Sequence, residues 1–510
     1  MVMAPQSYLS AITENIWRLQ YLAGIGLLTV SSPLHFGPHS RVGDDTDLDQ
    51  SAASEIPWAW HNVIGDIHVW TAGAHAKYGE IVRLGPDTLS FINEQAWKDI
   101  YMHRQDANGK AMKQLAKNHK KRHENGVYSL LDAPDDVHSR QRKMLSHAFS
   151  DRALREQEPL LRSYTDLVVR NLTDDARCNR PVDIVETFNF LTFDVIGELA
   201  FGESFHACET REEHPWFALF FTTIKWTSIF SVGKKIPFAP LILIPAAPLI
   251  LKSAKDMFAY TKEKVRNRIA TGDKERPDFM ARVLKHNTND GTGITIPEIE
   301  STFELLAVAG SETTATLMSG LMWLALNNPP VLSKLQQEIR SAFASDSEIT
   351  LIKIDHLTYL QATLQESLRM YPPVPVTLTR VTGPEGISIC GEWIPGNTAV
   401  GVPHRAASLS PTNFHEPMTF APERFFPEGK RPAKYDNDKR GATQPFSAGP
   451  RNCLGKNLAY AEMKLTISRL IYNFDFEVVN PKVNWYEQKV WGLYDKKPLM
   501  IRVRERKPSN

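Results

Sequence analysis

Phe446-Ser-Ala-Gly-Pro-Arg-Asn-Cys-Leu-Gly455 puts one cysteine, Cys453, in a loop with Gly449, Pro450 and Gly455, ahead of a helical run from Lys456 towards Tyr472. Backbone N–H groups and the helix dipole at such a position stabilise negative charge, which predicts a thiol of lowered pKa. The same N–H groups can hydrogen-bond the sulfur and so tune a metal that it holds. Glycine reaches positive φ without strain and lets the backbone approach a flat cofactor closely. A cysteine taken alone is most often a small buried hydrophobe. The ten-residue pattern around Cys453 is what lifts it above that reading.

Outward from the loop, composition sets bounds. The chain has 510 residues, 42% hydrophobic and 23% charged, with a net charge of +1. That is ample for a large core, and no Gly/Ser linker, internal repeat or low-complexity tract divides it. One large, mainly helical domain is expected. The near-neutral balance argues against a nucleic-acid binder, which carries a strong basic excess. Cys178, Cys208, Cys390 and Cys453 are scattered and form no C-x-x-C pair. Neither a structural zinc site nor a disulfide framework is indicated, and the usage suits a reducing compartment.

Phe446, Gly449, Arg451, Cys453 and Gly455 match the F-x-x-G-x-R-x-C-x-G haem-binding signature, and the chain resembles the cytochrome P450 family. Ala309-Gly-Ser-Glu-Thr-Thr314, Glu366-x-x-Arg369 and Pro422-Glu-Arg424 match further family motifs in the same order, and the resemblance runs from about Pro57 to Arg504. It resembles filamentous-fungal microsomal monooxygenases of secondary metabolism in particular. The implied fold is mainly α with a small β-sheet region (α+β), with haem between a long central helix and the cysteine loop. The implied cofactor is heme b (iron protoporphyrin IX), held by the Cys453 thiolate. Phe446 and Arg451 come with the loop as cofactor-binding residues.

The central helix has its own sequence signals. Thr295-Ile-Pro-Glu298 is a capping box with proline in the first turn, and the helix it starts is expected to run to about Asn327, before Pro329-Pro330. A glycine and three hydroxyl residues between Gly310 and Thr314 are weak helix formers, which predicts a local bulge. By resemblance, Thr313 hydrogen-bonds dioxygen at the cofactor and Glu312 supports proton delivery to it. His138 and Arg142, four apart on one helical face, can together hold an anionic group. The resemblance makes them haem-propionate ligands, although tryptophan is commoner in the family where His138 stands. Arg380, in the extended run Val374–Arg380, is assigned to a propionate in the same way. Glu366, Arg369 and Arg424 are assigned to a buried scaffold behind the cysteine loop.

Lys77–Phe91 reads as two strands around Gly85-Pro86-Asp87, and Asn189–Gly202 as a buried helix. Val127, Tyr128, Leu130, Val374 and the turn Val490–Tyr494 are expected to face the substrate pocket. Lys113–Arg122 reads as a solvated basic run by its charges, while the resemblance places this region over the substrate pocket. Lys430, Arg431, Lys434, Lys439 and Arg440 form a second basic cluster, a candidate docking face for an acidic reductase. Tyr21–Val30 is too short to span a bilayer, and four prolines interrupt the apolar run Ile236–Leu251. The expected organisation is a leader or weak anchor over residues 1–56 and a catalytic domain over 57–510. Contact with the cytoplasmic face of the endoplasmic reticulum membrane is expected.

The function implied is insertion of one oxygen atom from O2 into a small apolar substrate of terpenoid or polyketide type, with electrons from NADPH-cytochrome P450 reductase. Two alternatives stand beside it: a ring-forming, rearranging or dehydrating P450, and a non-enzymatic haem-binding protein. A soluble nitric-oxide-reducing relative is a minor variant. Pocket residues vary within a fold, so the substrate is not read from the chain.

Overall fold

The computed structural model describes residues 53–506 apart from 106–110, 113, 118–122, 234–246, 274, 288–292 and 482. Its longest helix is Ile296–Leu326, and it starts where the capping box places it. The Thr295 hydroxyl accepts from the Glu298 amide at 3.4 Å, and the Glu298 carboxylate accepts from the Thr295 amide at 2.9 Å. The helix stops at Asn327, beside the proline pair. Most of its length is buried because helices pack around it, chief among them Ile184–Phe201, the buried helix read from Asn189–Gly202.

The expected bulge is not there. Residues 296–326 are α-helical throughout. The hydroxyls of Ser311, Thr313 and Ser319 return to the carbonyls four residues back at 2.8, 2.6 and 2.7 Å, so these weak formers are satisfied inside regular helix. Gly310 serves packing: a Cβ there would come 2.6 Å from Ile196 Cδ1 on the neighbouring helix.

The β structure is small, as the α+β expectation has it. A five-stranded sheet runs in the order Ile81–Gly85, Thr88–Phe91, Ala399–Gly401, Arg380–Val381 and Ala116–Lys117. The pair Ala399–Gly401 with Thr88–Phe91 is parallel, and the other pairs are antiparallel. Its register sets Lys117 opposite Arg380. A second sheet joins Phe474–Val478 to Met500–Glu505, and Met500–Glu505 to the distant Val182–Asp183. A hairpin, Lys489–Trp491 with Leu493–Asp495, turns at Gly492.

The scaffold behind the cysteine loop is a knot of four buried charges. Glu366 receives both Nε and Nη2 of Arg369 at 2.7 Å, and Nε of Arg424 at 3.0 Å. Arg424 also pairs with Asp438, a member that the sequence motifs do not include. All four side chains are essentially sealed from solvent. Two arginines and two carboxylates sum to zero, and the remaining guanidinium donors reach backbone carbonyls of Ser408, Pro417 and His415. A buried pair of charges is tolerable on these terms, neutral overall and with its donors used.

The run Tyr21–Val30 lies outside the described residues, as do 236–246 of the proline-interrupted run. Among the described residues no helix is long and apolar enough to cross a membrane.

Candidate functional site

The cysteine loop is built by short local bonds. The Cys453 amide donates to the Phe446 carbonyl at 2.9 Å, and the Asn452 amide to the Gly449 carbonyl at 3.0 Å. Gly449 has φ +72°, and a Cβ there would lie 2.0 Å from the Tyr101 carbonyl oxygen, so no other residue fits. Arg142 clamps the loop to the helix Asp135–Ser146 by donating to the Asn452 carbonyl at 2.7 Å and to its Oδ1 at 2.5 Å. Gly455 differs: its φ is negative, and a Cβ would meet only Phe149 Cε1, at 3.8 Å. Its open side is a cavity.

That cavity, of about 290 Å³, lies between the loop and the central helix. Cys453, Phe446, Arg451, His138, Arg142 and Thr313 all line it. Leu305, Leu306, Ala309 and Leu317 extend its apolar wall along the helix, and Ile196, Leu368 and Val374 continue it. The Cys453 sulfur is accessible from this cavity while the surrounding protein is dense. Burial accordingly pushes its pKa up, against the Gly455 amide and the charges of Arg142 and Lys456. The expected lowering is therefore corrected: the loop and helix terms are present, but desolvation outweighs them. Coordination to a metal deprotonates a thiol outright.

Cations collect at one edge of the cavity. His138 is buried and its pKa is lowered to about 4, first by burial and then by Arg451, Arg142 and Lys117. It is thus a neutral imidazole that still offers an N–H. Arg451 donates to Asp135 and to the Ala133 carbonyl at 2.7 Å, which leaves its buried Nη1 without a partner among the described residues. Arg380 does not line the cavity. It sits beside Arg451 and over the Tyr101 ring at 5.6 Å, and its Nη1 is also buried and unpartnered among the described residues. Lys117 lines the cavity and is lowered to about 7 by burial and by the charges of Arg380 and Arg451.

Sequence reading placed Lys117 in a solvated run; only strand pairing with Arg380 brings it inside. Two buried guanidinium nitrogens with nothing to donate to, beside a lysine, call for anions. A thiol, an apolar slot and a cationic edge fit an iron porphyrin with its two carboxylates.

The helix face explains a second difference. Ala309, Gly310, Thr313, Thr314 and Leu317 recur at helical spacing and share the cavity side. Glu312 is out of phase with them and does not reach the cavity. It is fully buried, with Oε1 2.5 Å from Lys496 Nζ and 2.9 Å from the Thr316 hydroxyl. Burial raises its pKa, opposed by Lys496. Two further residues escaped the sequence reading. Glu462 lines the cavity from the helix Lys456–Asn473, and burial lifts its pKa to about 8. His404 lines it too, packed 5.1 Å from the Trp97 ring and lowered to about 4 by burial.

Leu130 lines the cavity with Leu131, and Pro373 and Leu378 join Val374; Val127 and Tyr128 are not at its wall. The Val490–Tyr494 turn does not reach it either. Tyr494 stacks on Tyr371 at 4.3 Å, and Trp491 packs at Gly65 beneath Lys225, 3.9 Å from its ring. The basic cluster before the loop is largely neutralised locally. Lys434 pairs with Glu416 at 2.9 Å, Lys439 with Glu80 at 3.2 Å and Arg431 with Asp436 at 3.5 Å.

A family model described as Cytochrome P450 matches residues 56–501. Cytochrome P450 monooxygenase astA of Talaromyces wortmannii is 39% identical over 457 residues, covering 89% of this chain and 90% of its own. Cytochrome P450 monooxygenase aclL of Aspergillus oryzae is 40% identical, covering 88% and 90%. Averantin hydroxylase of Dothistroma septosporum is 37% identical, covering 95% and 91%.

Proposed function

The chain belongs to the cytochrome P450 family and is a haem-dependent monooxygenase, and from that premise we propose that it hydroxylates or epoxidises a small apolar secondary metabolite, of polyketide or terpenoid type. The observation that carries this is the apolar wall that the central helix sets across the cavity from Cys453, with the cations gathered at one edge. Averantin hydroxylase, a relative matching 95% of the chain, supports hydroxylation as the reaction. The proposed cofactor is heme b, and the proposed electron source is NADPH-cytochrome P450 reductase.

Bound haem supplies reductive activation of dioxygen, chemistry that belongs to the cofactor. The chain's residues bind and orient. Cys453 would hold the iron through its thiolate, whose electron donation would support that chemistry. Arg380, Arg451 and Lys117 supply donors for the propionates, His138 adds a neutral N–H, and Arg142 keeps the loop in place. Leucine side chains exclude water from the reacting face. Thr313 presents its hydroxyl at the cavity wall, where a rotation away from the Ala309 carbonyl would free it to hold a proton on the side facing Cys453. The experiment that tests the reading is incubation of the enzyme and its reductase with an extract of the source organism. A metabolite that gains one oxygen mass is the expected result; a product formed without oxygen gain would favour the ring-forming alternative.

Thr313→Ala is expected to keep haem binding and NADPH oxidation while product falls by about 10²-fold, the lower end of what a positioned proton donor contributes. Hydrogen peroxide should rise in its place. An unchanged ratio of product to NADPH would mean that Thr313 only closes the helical turn.

We also propose that the catalytic domain begins at about Pro57. Helix Ile56–Ile64 packs on Pro215–Gly233 and is tied to the hairpin by Trp491 Nε1 donating to the Val63 carbonyl at 3.2 Å. Removing residues before Pro57 should release much of the protein from membranes and leave its haem content unchanged. Loss of haem on truncation would show that the leader belongs to the fold.

A further inference from the structure

Arg405 is a buried cation that no carboxylate answers among the described residues. It stands in the short helix His404–Ser408 and is 7% exposed. Its Nη2 donates to the Tyr486 carbonyl at 3.5 Å, its guanidinium lies over the Tyr486 ring at 5.4 Å, and its Nη1 is buried and unpartnered. The carboxylates whose charge reaches the surrounding groups are already taken. Glu366, which acts on Tyr486, holds Arg369 and Arg424. Glu312, which acts on Tyr371, holds Lys496. Asp66, which acts on His68, holds His61 at 2.7 Å. The knot behind the cysteine loop sums to zero; Arg405 adds an uncancelled positive charge. A buried ion without its opposite is strongly destabilising.

The groups around Arg405 are donors as well. Tyr494 is their hub. Its hydroxyl is in reach of Arg405, its ring meets His68 edge-on at 5.9 Å, and it stacks on Tyr371 at 4.3 Å. Tyr371 donates to Gln488 Oε1, so Nε2 is the free end of that amide. The Tyr494 hydroxyl, Gln488 Nε2 and both ring nitrogens of His68 are buried and unpartnered among the described residues. Burial, then the charge of Arg405, lowers the pKa of His68 to about 3, which makes it a neutral ring with one N–H to give. These donors come from segments far apart in the chain: helix Ile67–Tyr78, the Arg405 helix, the turn Trp485–Glu487 with Gln488, and the hairpin strand Leu493–Asp495. Buried polar groups in folded proteins have partners. Water would satisfy the neutral donors and leave the charge of Arg405 unanswered.

We propose that Arg405, Tyr494, Gln488 and His68 form a buried site for one small monovalent anion of halide size, chloride in the cell. A carboxylate takes a guanidinium through two parallel N–H groups. Here Nη2 is turned to Tyr486 and only Nη1 is free, which suits a spherical ion that accepts single N–H and O–H bonds. The ion cancels Arg405 and ties helix Ile67–Tyr78 to the hairpin near the end of the chain. None of the four residues lines the haem cavity, and the site does not depend on the monooxygenase reading.

The test uses haem-loaded protein exchanged into gluconate, an anion too large for the site. Chloride or bromide is then returned at constant ionic strength. The thermal midpoint should rise saturably by a few degrees, as it does for a ligand of the folded state alone. Arg405→Met keeps a side chain of similar length without the charge and should lose that response. No saturable response in wild type, or the same response in Arg405→Met, would overturn the site.

Should Arg405→Met fail to fold, Tyr494→Phe removes one donor and strands no charge. Its half-saturating chloride concentration should rise severalfold, and an unchanged one is contrary. Crystals of the wild type grown in bromide give the direct reading. An anomalous peak within hydrogen-bonding distance of Arg405 Nη1 is expected; a water there, with no anomalous signal, would overturn the proposal.

Discussion

Cys453→Ser is expected to abolish the thiolate-type haem spectrum and all oxygen insertion. A serine hydroxyl fits the loop, because the Cys453 amide bond to Phe446 and the Arg142 clamp on Asn452 do not involve the sulfur. The variant should therefore fold, and the loss should be electronic. The hydroxyl cannot supply the electron density that a thiolate pushes onto the iron. Burial already disfavours an anion at this position, and more so an alkoxide than a thiolate. The measurement is the absorption of the reduced carbon-monoxide complex. Retention of the strongly red-shifted Soret band would remove Cys453 as the axial ligand.

Glu366→Ala or Arg369→Ala should instead yield almost no holoprotein. Removing Glu366 leaves Arg369 and part of Arg424 without a carboxylate at sites sealed from water; removing Arg369 takes both its donors from Glu366, which keeps Arg424, and leaves the Ser408 and Pro417 carbonyls without that guanidinium. Breaking such a buried pair costs about 3–5 kcal/mol, a large part of the stability of an ordinary domain. The readouts are soluble yield, haem content and thermal midpoint. Normal values in either variant would contradict the scaffold role. Asp438→Ala should behave in the same way, since Asp438 completes the neutrality of the knot.

What the sequence made legible was local. The capping box at Thr295, the cysteine loop and the Glu366/Arg369 pair are each written within a few consecutive residues, and each appears where it was read. The exceptions fall into two kinds. Glu312 could have been resolved by counting along the helix, because Gly310, Thr313 and Leu317 recur on one face and residue 312 does not. Its adjacency to Thr313 in the chain hid their separation in space. Lys117, Lys496 and Asp438 owe their positions to strand pairing, a hairpin and a loop that bring distant segments together, and nothing near them in sequence reports it. The thiol's raised pKa belongs to the same kind: the terms that lower it are local, while the density of the surrounding protein is not.

The way the last strand closes the molecule bears on how the protein is made. Met500–Glu505 pairs with both Phe474–Val478 and Val182–Asp183, and Lys496 and the cysteine loop also come from this end of the chain. On a ribosome the central helix and most of the leucine-lined wall emerge well before the cysteine loop does. The nascent chain must hold an open, greasy cleft until the cysteine loop and Met500–Glu505 have emerged, a state that invites aggregation and chaperone attention. Cofactor capture is accordingly expected only after the cysteine loop has emerged. Overexpression without matching haem supply should accumulate chains that are complete in sequence and arrested at that last closing step.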